Sequence, residues 1–221
     1  MAHSIMNASS PHKGLLVRST GQPLERAKAA MLMVHGRGAK AEDILSLVGQ
    51  LGQPGFSYLA PQAVGNTWYP NRFLDPISSN QPWLTSALFT VSDVLDKITQ
   101  AGLPPERIIL LGFSQGACLT LEFAARNARR YGGLVGLSGA LIGPDDMPRN
   151  YKGSLAGTPV FLGCSDVDIH VPKERVTQAA DVLRHLGGKV TERLYPNLDH
   201  SVNQNEIDFV RGMMQDLTAG S

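Results

Sequence analysis

Uniform apolar runs alternate with helical stripes along most of this chain. Residues 29–34, Ala-Ala-Met-Leu-Met-Val, carry no polar side chain and predict a buried strand. Ile44, Leu47, Val48 and Leu51 then recur at helical spacing and stop at Gly52. Residues 56–60 read as a short strand ended by Pro61. Leu84, Leu88, Val91, Leu95 and Ile98 form one stripe of a helix that stops at Gly102. Runs at 107–111, 131–138 and 159–162 predict three more strands. A helix opens at Pro172, carries Val176, Ala179, Val182, Leu183 and Leu186, and ends at Gly187-Gly188. Residues 189–195 alternate like a strand. The last helix is expected from near Asn203, with Glu206 placed as in a capping box and Ile207, Val210, Met214 and Leu217 facing inward. Residues 15–18 add an expected edge strand.

The order strand, helix, strand, helix implies an α/β fold, a mostly parallel central sheet with helices on both faces. No linker, repeat or low-complexity tract interrupts it. One domain over residues 1–221 is expected, with 1–13 a flexible N-terminal segment and no large separate cap. The longest irregular stretch is 61–81, and a structureless stretch of that length in a compact domain is usually functional.

Composition narrows the class. Of 221 residues, 43% are hydrophobic and 18% charged, ordinary values for a globular protein. The net charge of +1, with both signs mixed along the chain, argues against nucleic-acid or anionic-membrane partners. No segment approaches the roughly 20 apolar residues of a membrane span. Residues 1–13 lack the basic and apolar regions of a signal peptide. A cytoplasmic protein without stable membrane insertion is expected, as a monomer or homodimer. Cys118 and Cys164 read as buried thiols; a disulfide between them stays open, although the usage fits a reducing compartment.

The chemistry begins at Gly112-Phe113-Ser114-Gln115-Gly116, between the apolar run 107–111 and a helical stretch from Ala117. Strand, G-x-S-x-G, helix is the context of a nucleophile elbow. The turn closes only if residues two away from the serine are small, which Gly112 and Gly116 provide. It also sets the free N–H groups of a helix N-terminus beside the serine oxygen. Ser114 is therefore the expected nucleophile of a serine hydrolase.

A serine hydroxyl needs a base, and the base needs an orienting acid. After Ser114 come His170, His185 and His200. His185 lies within a helix and reads as a surface residue. His200 lies between the last strand and last helix, at the sheet edge where open α/β folds place their sites, and is the expected base. The acid lies in the segment 163–172, where Asp166 and Asp168 compete and spacing does not choose between them. Asp166, Asp168 and His170 are also spaced like ligands of a hard cation, but no EF-hand glycine and glutamate follow, so neither metal nor cofactor is expected. His170 reads as a loop residue at the mouth of the site. The first oxyanion donor is the N–H of Gln115, and the second is expected within Val34-His35-Gly36-Arg37-Gly38, after the first buried strand. His35 precedes the nucleophile and reads as structural.

Together these segments resemble the phospholipase/carboxylesterase family of α/β-hydrolases, which includes acyl-protein thioesterases. Four motifs carry the resemblance over about residues 29–217: His35-Gly36-Arg37-Gly38, Gly112-Phe113-Ser114-Gln115-Gly116-Ala117, Asp168-Ile169-His170-Val171-Pro172, and His200-Ser201. The resemblance implies an α/β-hydrolase fold, assigns Asp168 as the acid through D-x-x-V-P, and gives the Arg37 N–H as second oxyanion donor. Ile169 stands where thioesterase-like members tend to have proline, and Arg37 where they tend to have an apolar residue. With the stretch 66–84, these departures resemble a bacterial branch.

The expected activity is hydrolysis of a small-molecule carboxylic ester through an acyl-enzyme. Lysophospholipase or acyl-thioesterase activity is the alternative, and a non-catalytic binding scaffold the reading from another class. Trp68, Tyr69, Phe73 and Trp83 cluster in the irregular stretch, and Leu141 follows another strand; these are the candidate substrate wall, with packing of the loop onto the body the other reading of the aromatic rings. The Arg37 side chain either points to solvent or holds an anionic group of the substrate.

Overall fold

The computed structural model describes residues 10–219. Residues 1–9 of the expected flexible segment lie outside the described residues. Its remainder is anchored through His12, which is buried and whose Nε2 donates to the Trp68 carbonyl at 2.8 Å.

Seven strands form one sheet in the order β1-β3-β2-β4-β5-β6-β7. These are β1 (Val17–Gly21), β2 (Ala29–Val34), β3 (Phe56–Pro61), β4 (Ile108–Phe113), β5 (Gly133–Leu137), β6 (Pro159–Ser165) and β7 (Lys189–Tyr195). Only β1 runs antiparallel to its neighbour. The helices are α1 (Ala41–Leu45), α2 (Val48–Leu51), α3 (Trp83–Gln100), α4 (Gln115–Arg126), α5 (Lys173–His185) and α6 (Gln204–Ala219).

The sheet explains the apolar runs. In β2, Ala30, Leu32 and Val34 join a core layer with residues of α3, α4 and α5, whereas Ala29, Met31 and Met33 join a second layer with α1, α2 and α6. In β4, Ile108 and Leu110 face the first layer, and Ile109 and Leu111 the second. A parallel strand covered on both faces has no polar side, so its sequence loses the period of two.

Two expected boundaries shift. The edge strand begins at Val17 rather than at 15. The stripe Ile44–Leu51 forms two short helices instead of one. Between them Ser46 Oγ donates back to the Asp43 carbonyl at 2.6 Å, competing with the helical ladder.

The C-terminal ends of β2, β4, β6 and β7 lie at one edge. Val34 pairs with Gly112, Leu137 with both Phe113 and Gly163, and Ser165 with Tyr195. The loops leaving these strands carry Arg37, Ser114, Asp168 and His200 to one crevice. No helix among the described residues is long and apolar enough to cross a membrane.

Candidate active site

Ser114 sits between the last residue of β4 and the first of α4 with φ 54° and ψ −121°. A non-glycine residue there is strained, and the surrounding turn must hold it. A Cβ on Gly112 would lie 2.3 Å from the Gly116 carbonyl oxygen, and one on Gly116 would lie 2.1 Å from that of Val34. Both glycines are therefore needed for β4, α4 and β2 to approach. The Ser114 N–H donates to the Leu137 carbonyl at 2.9 Å, pinning the turn to β5.

The loop after β7 brings His200 over this serine. Its Nε2 lies 2.8 Å from Ser114 Oγ, and its Nδ1 lies 2.6 Å from Asp168 Oδ2. The other carboxylate oxygen of Asp168 accepts the N–H groups of His170 and Val171 at 2.8 and 3.0 Å. Burial pushes the Asp168 carboxyl up, but the His200 bond, the imidazole charge and these two N–H donors outweigh burial and hold it below the ordinary aspartate value. The side chain of Asp168 is fully buried, whereas that of His200 is 20% exposed. Phe113 and His170 flank the His200 ring, with centroids at 5.1 and 4.8 Å.

Asp166 does something different. Its Oδ1 accepts the Asn197 N–H at 2.9 Å, and its own N–H donates to the Tyr195 carbonyl at 3.0 Å. It ties the loop after β6 to the one that presents His200. Asp166, Asp168 and His170 do not converge, and among the described residues no group of three His, Cys, Asp or Glu side chains could hold a metal ion. His35 is fully buried. Its Nε2 accepts the Ala63 N–H, which leaves Nδ1 to donate to the Gly36 carbonyl at 2.8 Å. His185 is exposed.

The N–H of Gln115 lies in the first turn of α4, where no intrahelical acceptor exists. The Arg37 N–H makes no backbone hydrogen bond among the described residues. The Arg37 side chain is exposed and lines the cavity beside Ser114, yet it is tied to the neighbouring loop. Its Nη1 donates to the Pro70 carbonyl at 2.9 Å, and its Nη2 to those of Tyr69 and Asn71 at 3.0 and 2.6 Å.

A cavity of about 700 Å³ opens beside Ser114 and His200. Tyr69 and Phe73 line it, as do Asn71, Arg72, Asp75, Cys118, Ile169 and Val171, none of which the sequence had singled out as substrate wall. Three expected wall residues lie elsewhere. Trp68 is fully buried with its Nε1 donating to the His35 carbonyl at 2.9 Å, so its indole supports the loop from behind. Trp83 packs its ring edge-on against His12, with centroids 5.4 Å apart. Leu141 lines a separate, smaller cavity beside Arg149 and Arg175, because Arg175 Nη2 holds its carbonyl at 2.9 Å. Both cysteines are free and buried, and burial pushes each thiol up to about 12.

Comparison with known proteins bears on the fold and the family. The sequence profile of the Phospholipase/Carboxylesterase family matches residues 17–217. A crystal structure of a phospholipase/carboxylesterase from Dyadobacter fermentans superposes with a TM-score of 0.87 at 42% identity, covering 90% of this chain and 96% of that one. An acyl-protein thioesterase 1 of Debaryomyces hansenii is 25% identical over 91% of this chain and 95% of its own length. That of Gibberella zeae is 32% identical over 56% of this chain, and the match spans only 53% of that relative. With its seven-stranded, mostly parallel sheet and a serine on the strand-to-helix turn, the chain has the α/β-hydrolase fold and belongs to the phospholipase/carboxylesterase family of ester hydrolases.

Proposed function

We propose that the chain is a serine esterase that cleaves small carboxylic esters through an acyl-enzyme, with Ser114, His200 and Asp168 as its triad. The observation that carries this is the continuous chain from Ser114 Oγ to His200 Nε2 and from His200 Nδ1 to Asp168 Oδ2, at 2.8 and 2.6 Å. His200 takes the hydroxyl proton as Ser114 attacks the ester carbonyl. Asp168 keeps the imidazole in the tautomer that offers Nε2 and stabilises its charged form. The N–H groups of Arg37 and Gln115 donate to the developing oxyanion, each lowering the barrier by about 3–4 kcal/mol. His200 returns the proton to the leaving alcohol, and a water repeats the sequence on the acyl-enzyme.

The lining of the cavity mixes Tyr69, Phe73, Ile169 and Val171 with Asn71, Arg72 and Asp75, which suits a compact acyl group better than a long alkyl chain. Thioester cleavage is the second reading, favoured by the names of the fungal relatives, and uses the same residues. The two free thiols fit a reducing cytoplasmic setting.

Ser114→Ala should lower turnover of p-nitrophenyl acetate by at least about 10⁴-fold without unfolding the protein. A fluorophosphonate probe should label native but not denatured wild type, at Ser114. Turnover persisting at the wild-type rate in Ser114→Ala would move the chemistry elsewhere, and a wild type that neither turns over esters nor takes the probe would leave the protein a binding scaffold. Parallel assays on p-nitrophenyl esters of rising chain length, a lysophospholipid and an acyl-thioester decide the substrate class.

A further inference from the structure

Arg37 and Gln115 share something besides a place in the lining of the same cavity. Their side chains hold one segment of chain, residues 68–71, from opposite ends. Gln115 Nε2 donates to the Tyr69 carbonyl at 2.8 Å, and Gln115 Oε1 accepts the Trp68 N–H at 2.9 Å. The Arg37 guanidinium donates to the carbonyls of Tyr69, Pro70 and Asn71. The Tyr69 oxygen thus receives one donor from each. Arg37 forms no ion pair with a carboxylate among the described residues, so its hydrogen bonds are spent on main-chain carbonyls.

The segment is anchored behind as well. The Trp68 indole donates to the His35 carbonyl at 2.9 Å, and the Gly38 N–H donates to the Asn66 carbonyl at 2.7 Å. On its far side the Asn71 N–H donates to Oδ1 of the buried Asn80 at 2.8 Å. The route from the Arg37 N–H through its guanidinium, the Tyr69 carbonyl and the Gln115 amide to the Gln115 N–H is therefore closed by hydrogen bonds. Tyr69, Pro70 and Asn71 also line the cavity.

An oxyanion hole works only if its donors are fixed before charge develops, about 2.7–3.1 Å from where the oxygen will sit. A misplacement of about 1 Å at a reacting centre can cost on the order of 10²-fold in rate. Resting on the esterase reading above, we propose that the side chains of Arg37 and Gln115 are positioning groups. Through the shared Tyr69 carbonyl they set the separation of the two oxyanion N–H groups and join that separation to the substrate wall. The planar guanidinium suits this task because its fixed fork reaches several carbonyls at once; a lysine ammonium is a point charge on a flexible stem. An acyl group that displaces residues 69–71 then lowers turnover as well as binding.

The test is a cycle of Arg37→Ala, Gln115→Met and the double variant, assayed on p-nitrophenyl acetate with kcat and KM separated and thermal melting followed alongside. Gln115→Met keeps the volume and removes both hydrogen bonds. Each single variant should lose about 10–100-fold in kcat with KM changed by less than about threefold, the pattern of a defect confined to the transition state. Because both side chains act on one carbonyl, the double variant should lose clearly less than the product of the two single losses. Methylguanidinium added to Arg37→Ala should restore part of kcat, which a general packing defect would not allow. If Arg37→Ala does not fold, Arg37→Lys takes its place in the cycle. Single variants with kcat within twofold of wild type, losses confined to KM, or losses that multiply would each overturn the proposal. Ser114→Ala separates the two failures: an active Ser114→Ala removes the esterase reading, whereas an inactive one beside a fully active Arg37→Ala removes only this inference.

Discussion

The crevice has two walls built on different principles. On one side Asp168 and His200 stand in the loops after β6 and β7. Apart from the bond to His200, the partners of Asp168 lie within six residues along its own loop and strand, and the neighbouring Val167 and Ile169 are 57% and 84% exposed. On the other side Arg37 and Gln115 grip residues 68–71, more than thirty positions away in sequence, over a fully buried tryptophan. The first wall is a local device that delivers two functional side chains. The second uses the body of the protein to hold main-chain groups. Damage to the first should therefore appear in rate alone, and damage to the second in rate and stability together.

The largest expected effect tests the local wall. Asp168→Asn should lower kcat by about 10⁴-fold, since an amide leaves the imidazole without a charge partner and in the wrong tautomer. Melting should move little by comparison. A loss below about tenfold in steady-state assays would break the distinction, because the carboxylate would then be a fixture of the loop only.

Next comes the other wall. Trp68→Ala should destabilise the protein by about 3–5 kcal/mol in denaturant unfolding, the usual result of emptying a large buried site, and should lower activity in the surviving folded fraction. A cost under about 1 kcal/mol would mean that the second wall does not depend on the core.

The smallest effect sharpens the picture at the start of α6, where the helix meets β6 at Gly163. Glu206, in the first turn of α6, is buried: its Oε2 accepts the Asn203 N–H at 2.9 Å, and its Oε1 has no partner among the described residues. Burial raises its carboxyl from 4.5 to about 7, against the lowering effect of the Asn203 N–H. Between those values the folded protein holds a proton that the unfolded chain has released. Stability should accordingly fall as pH rises from about 4.5 to about 7, and by no more than about 3 kcal/mol. Glu206→Gln should flatten this dependence and melt higher than wild type at pH 8 but not at pH 4. Parallel melting curves for the two proteins across that range would remove Glu206 as the cause.

How much of this could be read from the sequence follows the same division. The elbow, β2, β4, α3, α5 and the α6 start are legible because each rests on local rules. The Asn203–Glu206 capping box is one case, with both reciprocal bonds present at 2.9 and 3.1 Å. Asp168 stands apart from Asp166 only through the family motif; by spacing alone both are carboxylates after β6. The geometry supplies the missing distinction, since Asp166 is occupied by the Asn197 N–H. The 68–71 wall was not legible. Its acceptors are carbonyl oxygens, which every residue carries, so no residue type marks Tyr69, Pro70 or Asn71 as the target of Arg37. The two tryptophans stay divided in the sequence between substrate wall and packing of the loop, because both uses call for the same residue type. Nothing in the pattern around His12 announced that it would close over Trp68 and Trp83.

The doubly bonded Tyr69 carbonyl has a consequence for how such an enzyme can diversify. A mutational search for new substrate preference would naturally begin at residues 69–71, which line the cavity and accept the side-chain bonds of Arg37 and Gln115. On the coupling proposed above, each change there also reaches the N–H groups of Arg37 and Gln115, so libraries at these positions should yield variants that exchange turnover for selectivity. Phe73 and Ile169 line the same cavity without a hydrogen bond to Arg37, Gln115 or Asp168. Adaptation without loss of rate is more accessible from that side.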